Sequence, residues 1–156
     1  MTLASSIDPD KLAPDANDPE VATVMRDEVV FCLPSTPIDA VSKLMADNVI
    51  NEIVVLLDRR PVGYICEEDI LDKLVAGDVV LSGSDFAVRP PVTQVQARNV
   101  LRQPPLLVDE HQRMREVIAL MATQHRRLAV VMHDDENPMG MITPVEVAAF
   151  AEAVHA

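Results

Sequence analysis

The apolar positions along the chain follow two spacings, and these occur in the same order twice. Short continuous apolar runs predict buried strands over 29–33, 53–57, 106–108 and 128–132. Between them, apolar residues at i, i+3, i+6 and i+7 predict one buried helical face in each half: Ile38, Val41, Leu44 and Met45, then Met114, Val117, Leu120 and Met121. Further strands are predicted through Gly63 and Gly140, followed by helices over 67–75 and 145–153.

An internal duplication relates the two halves of this pattern. A shift of 76 positions places Val24 on Val100 and Arg26 on Arg102, and it matches Leu-Met-Ala at 44–46 with Leu-Met-Ala at 120–122. One extra residue in the second hairpin turn changes the shift to 77, so that Gly63 falls on Gly140. The predicted fold class is therefore α/β (α+β), with two β-α-β-β-α repeats.

Composition divides the chain into four parts. Residues 1–20 are rich in Pro, Asp, Ala and Ser without apolar periodicity, and we interpret them as a mobile acidic N-terminal tail. Repeat 1 covers 21–76, a linker with Gly, Ser and a Pro pair covers 77–97, and repeat 2 covers 98–156.

Charge limits the classes of partner. Thirteen basic against twenty-five acidic residues give a formal charge of −12, which argues against a general nucleic-acid or membrane binder. No apolar run reaches the length of a membrane span, and we see no secretory signal. The two cysteines are expected to be reduced thiols. We therefore expect a cytoplasmic protein.

Helix-start signals account for part of the polar pattern. Thr36 is expected to cap the first helix, with Pro37 at its first position. Near the end of the chain, "GMITPVEV" contains Thr143 and Glu146 in the spacing of a capping box. In the equivalent stretch, "GYICEEDI", Cys66 is a poor cap, so that capping does not explain Asp69. Whether either turn reads a ligand or only starts a helix stays open.

A doubled β-α-β-β-α unit with Gly-apolar-apolar-Thr-x-x-acid at its last turn resembles the CBS domain family (named after cystathionine β-synthase). The lead-ins "VMR" and "VLR" and the strand segments "NEIVVLL" and "RRLAVVM" carry the same resemblance. It implies a free-standing tandem pair with pseudo-two-fold symmetry, two clefts for adenosine nucleotides between the repeats, pairing into a homodimer, and no catalysis by the module itself.

Residue by residue, the resemblance implies one set of ligand contacts in each repeat. In repeat 1, Val30 and Ile53 would surround the base, Asp69 would accept from ribose, and Cys66 stands where the family has a hydroxyl. In repeat 2 the corresponding contacts are Leu106 and Ala129 at the base, Arg127 and Thr143 at phosphate, and Glu146 at ribose in place of Asp. A helix N-terminus and a two-oxygen carboxylate suit a phosphate and a vicinal diol.

Two functions follow as hypotheses. The favoured one is a regulatory sensor, not an enzyme, that binds an adenosine-containing ligand such as AMP, ATP or S-adenosylmethionine and requires no cofactor. The alternative is a ligand-free scaffold for dimerisation or for a regulated protein partner. For Arg126 and Arg127, the alternative to a ligand contact is a solvated pair. We call the cleft with the contacts of repeat 1 cleft 1, and the cleft with the contacts of repeat 2 cleft 2. Glu67 and Glu68 repel phosphate, so that cleft 1 suits a neutral or cationic adenosyl group and cleft 2 a phosphorylated one. The "HDDE" segment is interpreted as a solvated turn, without a metal.

Overall fold

The computed structural model describes residues 17–75 and 95–154. Repeat 1 contains, in order, β1 (Phe31–Cys32), α1 (Ile38–Asn48), β2 (Glu52–Leu57), β3 (Arg60–Cys66) and α2 (Glu67–Val75). Repeat 2 contains β4 (Leu106–Asp109), α3 (Met114–Thr123), β5 (Ala129–Met132), β6 (Pro138–Ile142) and α4 (Pro144–Val154). The α+β fold of two β-α-β-β-α repeats is confirmed. The predictions for residues 1–16 and for most of the linker lie outside the described residues.

Each repeat forms a three-stranded sheet with the same topology. The order is β1-β2-β3 in one and β4-β5-β6 in the other, with the first pair parallel and the second antiparallel. The register of the antiparallel pair shifts between Val55 and Leu56 in repeat 1, and between Val131 and Met132 in repeat 2. These are equivalent positions, so the duplication extends to the irregularities of the sheets.

The predicted apolar faces are the buried faces of the first helix in each repeat. α1 buries Ile38, Val41 and Met45, and α3 buries Met114, Val117 and Met121. The core around α1 also includes residues of repeat 2, namely Leu128, Val130, Met132 and Met141. This core therefore crosses the boundary between the repeats, whereas a second core, around α3, is formed mainly by repeat 2.

The start of α1 differs from the prediction. The helix begins at Ile38, with Pro37 as an extended N-cap residue whose side chain makes no capping hydrogen bond. Thr36 instead closes the turn after β1, because its hydroxyl oxygen accepts the amide hydrogen of Leu33 at 2.9 Å. The amide of Ile38 donates to the carbonyl of Val95 at 2.8 Å, so a distant segment satisfies the helix start.

Two segments, which we call crossing segment 1 (residues 17–26) and crossing segment 2 (residues 95–102), pair each repeat with the other. In crossing segment 1, the carbonyl of Pro19 accepts from Met114 at the start of α3, as Val95 accepts from Ile38. Arg26 then pairs with Met141 of β6, and Arg102 pairs with Tyr64 of β3. Residues 17–20, the last four of the segment interpreted as a mobile tail, all bond or pair with residues of repeat 2.

Close backbone approach explains the two glycines in the last strands. A Cβ on Gly63 would lie 2.6 Å from the carbonyl oxygen of Arg102, and one on Gly140 would lie 2.5 Å from that of Arg26. Both distances are shorter than a side-chain carbon tolerates. Glycine at these positions is therefore what lets the crossing segments reach the sheets.

Candidate functional site

The turn between β3 and α2 holds Asp69 in two sets of hydrogen bonds. One carboxylate oxygen accepts the amide hydrogen of Cys66 at 2.9 Å, which is the acidic half of a capping box. Our expectation that capping does not explain Asp69 was therefore wrong. The Cys66 thiol is not the hydroxyl that the other half of a capping box requires. The Asp69 carboxylate, however, binds the main-chain amide of Cys66, and that bond does not depend on the side chain at position 66.

Asp69 also forms a two-pronged ion pair with Arg102 of crossing segment 2. The Nε and Nη2 atoms of Arg102 lie 2.9–3.1 Å from the two carboxylate oxygens. The side chain of Asp69 is 17% exposed, so this pair is largely shielded from water. The hydrogen bonds to Asp69 raise the pKa of Arg102 further. The carboxylate predicted to meet ribose is therefore held by an arginine that belongs to repeat 2.

The matching turn before α4 is a closed capping box. Glu146 points back to Thr143, where one carboxylate oxygen accepts from the amide at 2.7 Å and from the hydroxyl at 2.6 Å. The Thr143 hydroxyl oxygen in turn accepts the amide hydrogen of Val145 at 3.2 Å. Thr143 is 3% exposed. In this conformation both side chains serve the start of α4.

Arg127 extends from repeat 2 into a group of carboxylates of repeat 1. Its Nη2 lies 3.2 Å from an oxygen of Glu52, and its Nη1 hydrogen-bonds Glu68. The same oxygen of Glu68 accepts from Arg102 at 3.1 Å. The main-chain amide of Arg127 donates to the hydroxyl of Tyr64. The predicted phosphate contact of cleft 2 thus lies, in this structure, among the acids of cleft 1.

Glu52 is a buried acid that sequence reasoning did not select. The residue is 1% exposed, and in repeat 2 its equivalent is Leu128, which is fully buried. Burial raises the pKa of Glu52, the attraction of Arg127 opposes this rise, and neighbouring carboxylates, Glu68 first, add to it. A carboxylate at the start of an otherwise apolar strand was the signal that could have identified it.

A cavity of about 190 Å³ opens at this group of charges. Repeat 1 supplies most of the wall, and Arg127 of repeat 2 closes one side. The lining residues from repeat 1 are Asn51, Glu52, Cys66, Glu67, Glu68 and Leu71. Burial raises the pKa of the Cys66 thiol to about 11, so it is a neutral wall of the cavity rather than a nucleophile.

The residues predicted to surround the base lie in or beside the core. Val30, Ile53 and Ala129 are at most 7% exposed, and Leu106 packs at the edge of the core of repeat 2. None of the four lines the 190 Å³ cavity. Cys66 and Arg127 do line it, so the structure brings those two predicted site residues together.

Comparison with known proteins identifies the fold. The family model for the CBS domain matches residues 21–76 and again residues 97–152. The chain belongs to the CBS domain family. A pair of CBS domains is a regulatory module, and the two matched stretches make this chain such a pair.

Individual relatives are distant. An uncharacterised protein of Methanopyrus kandleri is 23% identical over 128 residues, which is 81% of this chain and 60% of that protein, so this chain spans less than two thirds of its relative. The CBS domain pair of protein MJ0100, solved with 5′-methylthioadenosine and S-adenosyl-L-methionine, has a TM-score of 0.68 at 13% identity and covers 85% of this chain and 95% of its own. A hexameric CBS-CP12 protein from bloom-forming cyanobacteria has a TM-score of 0.65 at 19% identity, over 83% of this chain and 66% of its own.

The polar residues of the second hairpin turn bond to one another and to Glu110. The hairpin turn that contains "HDDE" is closed by Asp134, which accepts from Glu136 and Asn137, and His133 pairs with Glu110. Among the described residues, no three His, Cys, Asp or Glu side chains are grouped to hold a metal ion. Within those same residues, no helix has the length and apolar character needed to span a bilayer.

Proposed function

We propose that this CBS pair is a non-catalytic regulatory module that binds an adenosine-containing ligand in clefts between its two repeats. The observation that supports this most directly is the 190 Å³ cavity, whose wall combines the start of α2 with Arg127 of the other repeat. A ligand there touches both repeats at once, so it shifts their arrangement to the extent that it binds one arrangement more tightly than another. Ligands shift a conformational equilibrium only through such differential contacts.

The predicted contacts stay part of the proposal. In cleft 1 we assign the base to Val30 and Ile53 and ribose to Asp69, which lie outside the lining of the 190 Å³ cavity, and a neutral wall to Cys66, which lines it. Arg102 now holds Asp69 through charge-assisted hydrogen bonds. Ribose recognition in this cleft therefore requires that pair to open or to share the carboxylate.

In cleft 2 we assign the base to Leu106 and Ala129, phosphate to Arg127 and Thr143, and ribose to Glu146. The Glu146 carboxylate must first release the amide hydrogen of Thr143, which it accepts at 2.7 Å, and Arg127 must leave Glu52 and Glu68. A capping interaction is worth about 1 kcal/mol. A nucleotide that binds with micromolar affinity gains roughly 8 kcal/mol and can offset that loss.

Calorimetric titration with AMP, ATP and S-adenosylmethionine tests the proposal. We expect saturable heat from at least one of them, weakened in an Asp69→Asn variant and unchanged in Asp39→Asn, which alters an exposed carboxylate in the first turn of α1. No heat from any of the three at millimolar concentration contradicts the proposal.

A second candidate function is a ligand-free scaffold that pairs with itself. A groove of about 420 Å³ lies between α1 and α2, where the large apolar residues Val49 and Leu71 are 85% and 57% exposed. Burying such a surface in a homodimer or against a regulated protein partner is favourable. The carboxylates of both turns are also already satisfied within the chain, as a scaffold requires.

Sedimentation separates this candidate from the first. A scaffold predicts self-association that is weakened by Leu71→Glu but not by Leu107→Glu, which changes an equally exposed leucine on β4. It also predicts a melting temperature that rises with protein concentration and does not respond to nucleotides. A monomer at all concentrations contradicts the homodimer.

The proposed setting is the cytoplasm, with neither nucleic acid nor membrane as partner. Cys32 and Cys66 are both free and buried, as expected of a protein kept reduced. The formal charge of −12 repels phosphate backbones and anionic lipid at long range.

A further inference from the structure

The charges at the 190 Å³ cavity break the pseudo-symmetry of the pair. Arg127 and Leu128 of repeat 2 are equivalent, by the shift of 76, to Asn51 and Glu52 of repeat 1. Arg127 and Glu52, whose charged atoms lie 3.2 Å apart, therefore occupy positions at which the other repeat has an uncharged residue. The cross-repeat pair of Arg127 and Glu52 exists on one side of the pseudo-two-fold axis only.

The two members of this pair differ in how firmly they are held. The side chain of Glu52 is 2% exposed, whereas that of Arg127 is 42% exposed. A buried carboxylate needs a counter-charge, because its desolvation is not otherwise compensated. A half-exposed guanidinium, by contrast, can move into water at modest cost. The carboxylate is thus a fixed feature of the cavity, and the cation is the exchangeable one.

The other charges at the cavity are also acidic. Glu67 and Glu68 belong to its lining, and Glu68 already shares one oxygen between Arg127 and Arg102. With Arg127 displaced, three carboxylates of repeat 1 face the same space. These carboxylates would repel a phosphate group. They would attract a sulfonium or ammonium group at the position that the guanidinium of Arg127 now occupies.

We infer that Arg127 occupies the place of a positively charged group of the ligand, so that cleft 1 selects a cationic adenosyl compound which displaces Arg127 from Glu52 and Glu68. This inference rests on the proposed function and specifies the ligand of that same cavity. Displacement of Arg127 also removes a contact between the repeats, which links occupancy of cleft 1 to the arrangement of the pair.

Two compounds with the same adenosine and sulfur differ in the relevant charge. S-adenosylmethionine carries a sulfonium, an ammonium and a carboxylate group and is cationic overall, whereas 5′-methylthioadenosine is neutral and lacks the aminocarboxypropyl group. Arg127→Asn installs the residue that repeat 1 has at this position. Arg126→Asn is the matched control, because it removes the same charge from a guanidinium that bonds only to the carbonyls of Pro104 and Gln124 in the described residues.

The experiment measures the affinity of both compounds for the whole chain by calorimetry. We expect S-adenosylmethionine to bind Arg127→Asn at least about tenfold more tightly than Arg126→Asn, because the competing guanidinium is gone. The affinity of 5′-methylthioadenosine should differ between the two variants by less than about threefold. As a second and independent variant, Glu52→Gln should weaken S-adenosylmethionine and leave 5′-methylthioadenosine unchanged, even where Arg127→Asn folds poorly by circular dichroism.

The outcomes separate this inference from the proposed function. The role of Arg127 and Glu52 is overturned if Arg127→Asn raises the affinity of both compounds equally. It is also overturned if Arg127→Asn does not raise the affinity of S-adenosylmethionine and Glu52→Gln does not lower it. If 5′-methylthioadenosine or AMP still binds in that case, the adenosine-binding function stands without it. If no adenosine compound binds the wild type or any variant, both fail.

Discussion

At the scale of single residues, Val49 has an unfavourable backbone conformation. It follows α1 with φ of 53°, a left-handed conformation that a β-branched residue rarely adopts, and its side chain is 85% exposed. The left-handed conformation costs roughly 1–2 kcal/mol, while glycine loses roughly 0.5–1 kcal/mol more conformational entropy on folding. We expect Val49→Gly to raise the free energy of unfolding by about 0.5–1 kcal/mol.

The control is the equivalent residue of repeat 2. His125 has φ of 54° and is also exposed, but histidine tolerates this conformation better than valine. His125→Gly should therefore leave the urea midpoint almost unchanged while Val49→Gly increases it. A decrease with Val49→Gly would show that the exposed isopropyl group, not the backbone, dominates at this position.

Glu52 predicts a pH dependence of stability at the residue scale. Burial raises its pKa in the folded protein, so between the ordinary pKa of a glutamate and the raised value the folded state keeps a proton that the unfolded chain has released. The free energy of unfolding must then fall as pH rises through this window. In Glu52→Gln this part of the fall should disappear.

Urea unfolding across the acidic and neutral range measures the difference. Glu28→Gln, which changes an exposed glutamate ahead of β1, serves as the control and should give a profile parallel to that of the wild type. If the profile of Glu52→Gln is parallel as well, the carboxylate of Glu52 titrates alike in the folded and unfolded chain.

At the scale of elements, α3 is capped by a residue 97 positions away. The carboxylate of Asp18 accepts the amide hydrogen of Arg115 at 3.0 Å, and the helix has no side-chain cap of its own. Loss of a capping carboxylate costs about 1 kcal/mol. We therefore expect Asp18→Ala to lower the free energy of unfolding by about that amount and to speed amide exchange in the first turn of α3.

Asp27→Ala is the matched control for that change. It removes the same charge from an exposed position just after crossing segment 1. A loss of stability equal to that of Asp18→Ala would mean that net charge, rather than the remote cap, is responsible.

Whether the sequence predicts a contact between elements depends on how far apart the two residues lie along the chain. The helix faces and the Thr143–Glu146 box followed from spacings of three or four residues, which are local. The pair of Arg102 with Asp69 joins residues 33 apart, and that of Arg127 with Glu52 joins residues 75 apart. No local spacing encodes either pair. The repeated arginine at 26 and 102 was a signal, but the two side chains have different partners: Arg26 donates to the carbonyl of Asn48, and Arg102 pairs with Asp69.

At the scale of the whole molecule, the two repeats are expected to unfold together. Crossing segment 1 supplies the hydrogen bonds that start α3, and crossing segment 2 supplies those that start α1. The core around α1 also includes Leu128 and Val130 from the other repeat. Neither repeat can therefore separate without exposing apolar surface and leaving a helix end unpaired.

Tyr64 makes this prediction measurable, since it is the single tyrosine of a chain without tryptophan. Its side chain is fully buried, its hydroxyl oxygen accepts the amide hydrogen of Arg127, and its carbonyl accepts that of Arg102. Tyrosine fluorescence thus reports the boundary between the repeats, whereas far-UV circular dichroism reports all helices. We expect the two urea transitions to coincide, as for one cooperative unit. A fluorescence transition that precedes the loss of helix would instead show that the repeats come apart before they unfold, which is the motion that a ligand between them would have to control.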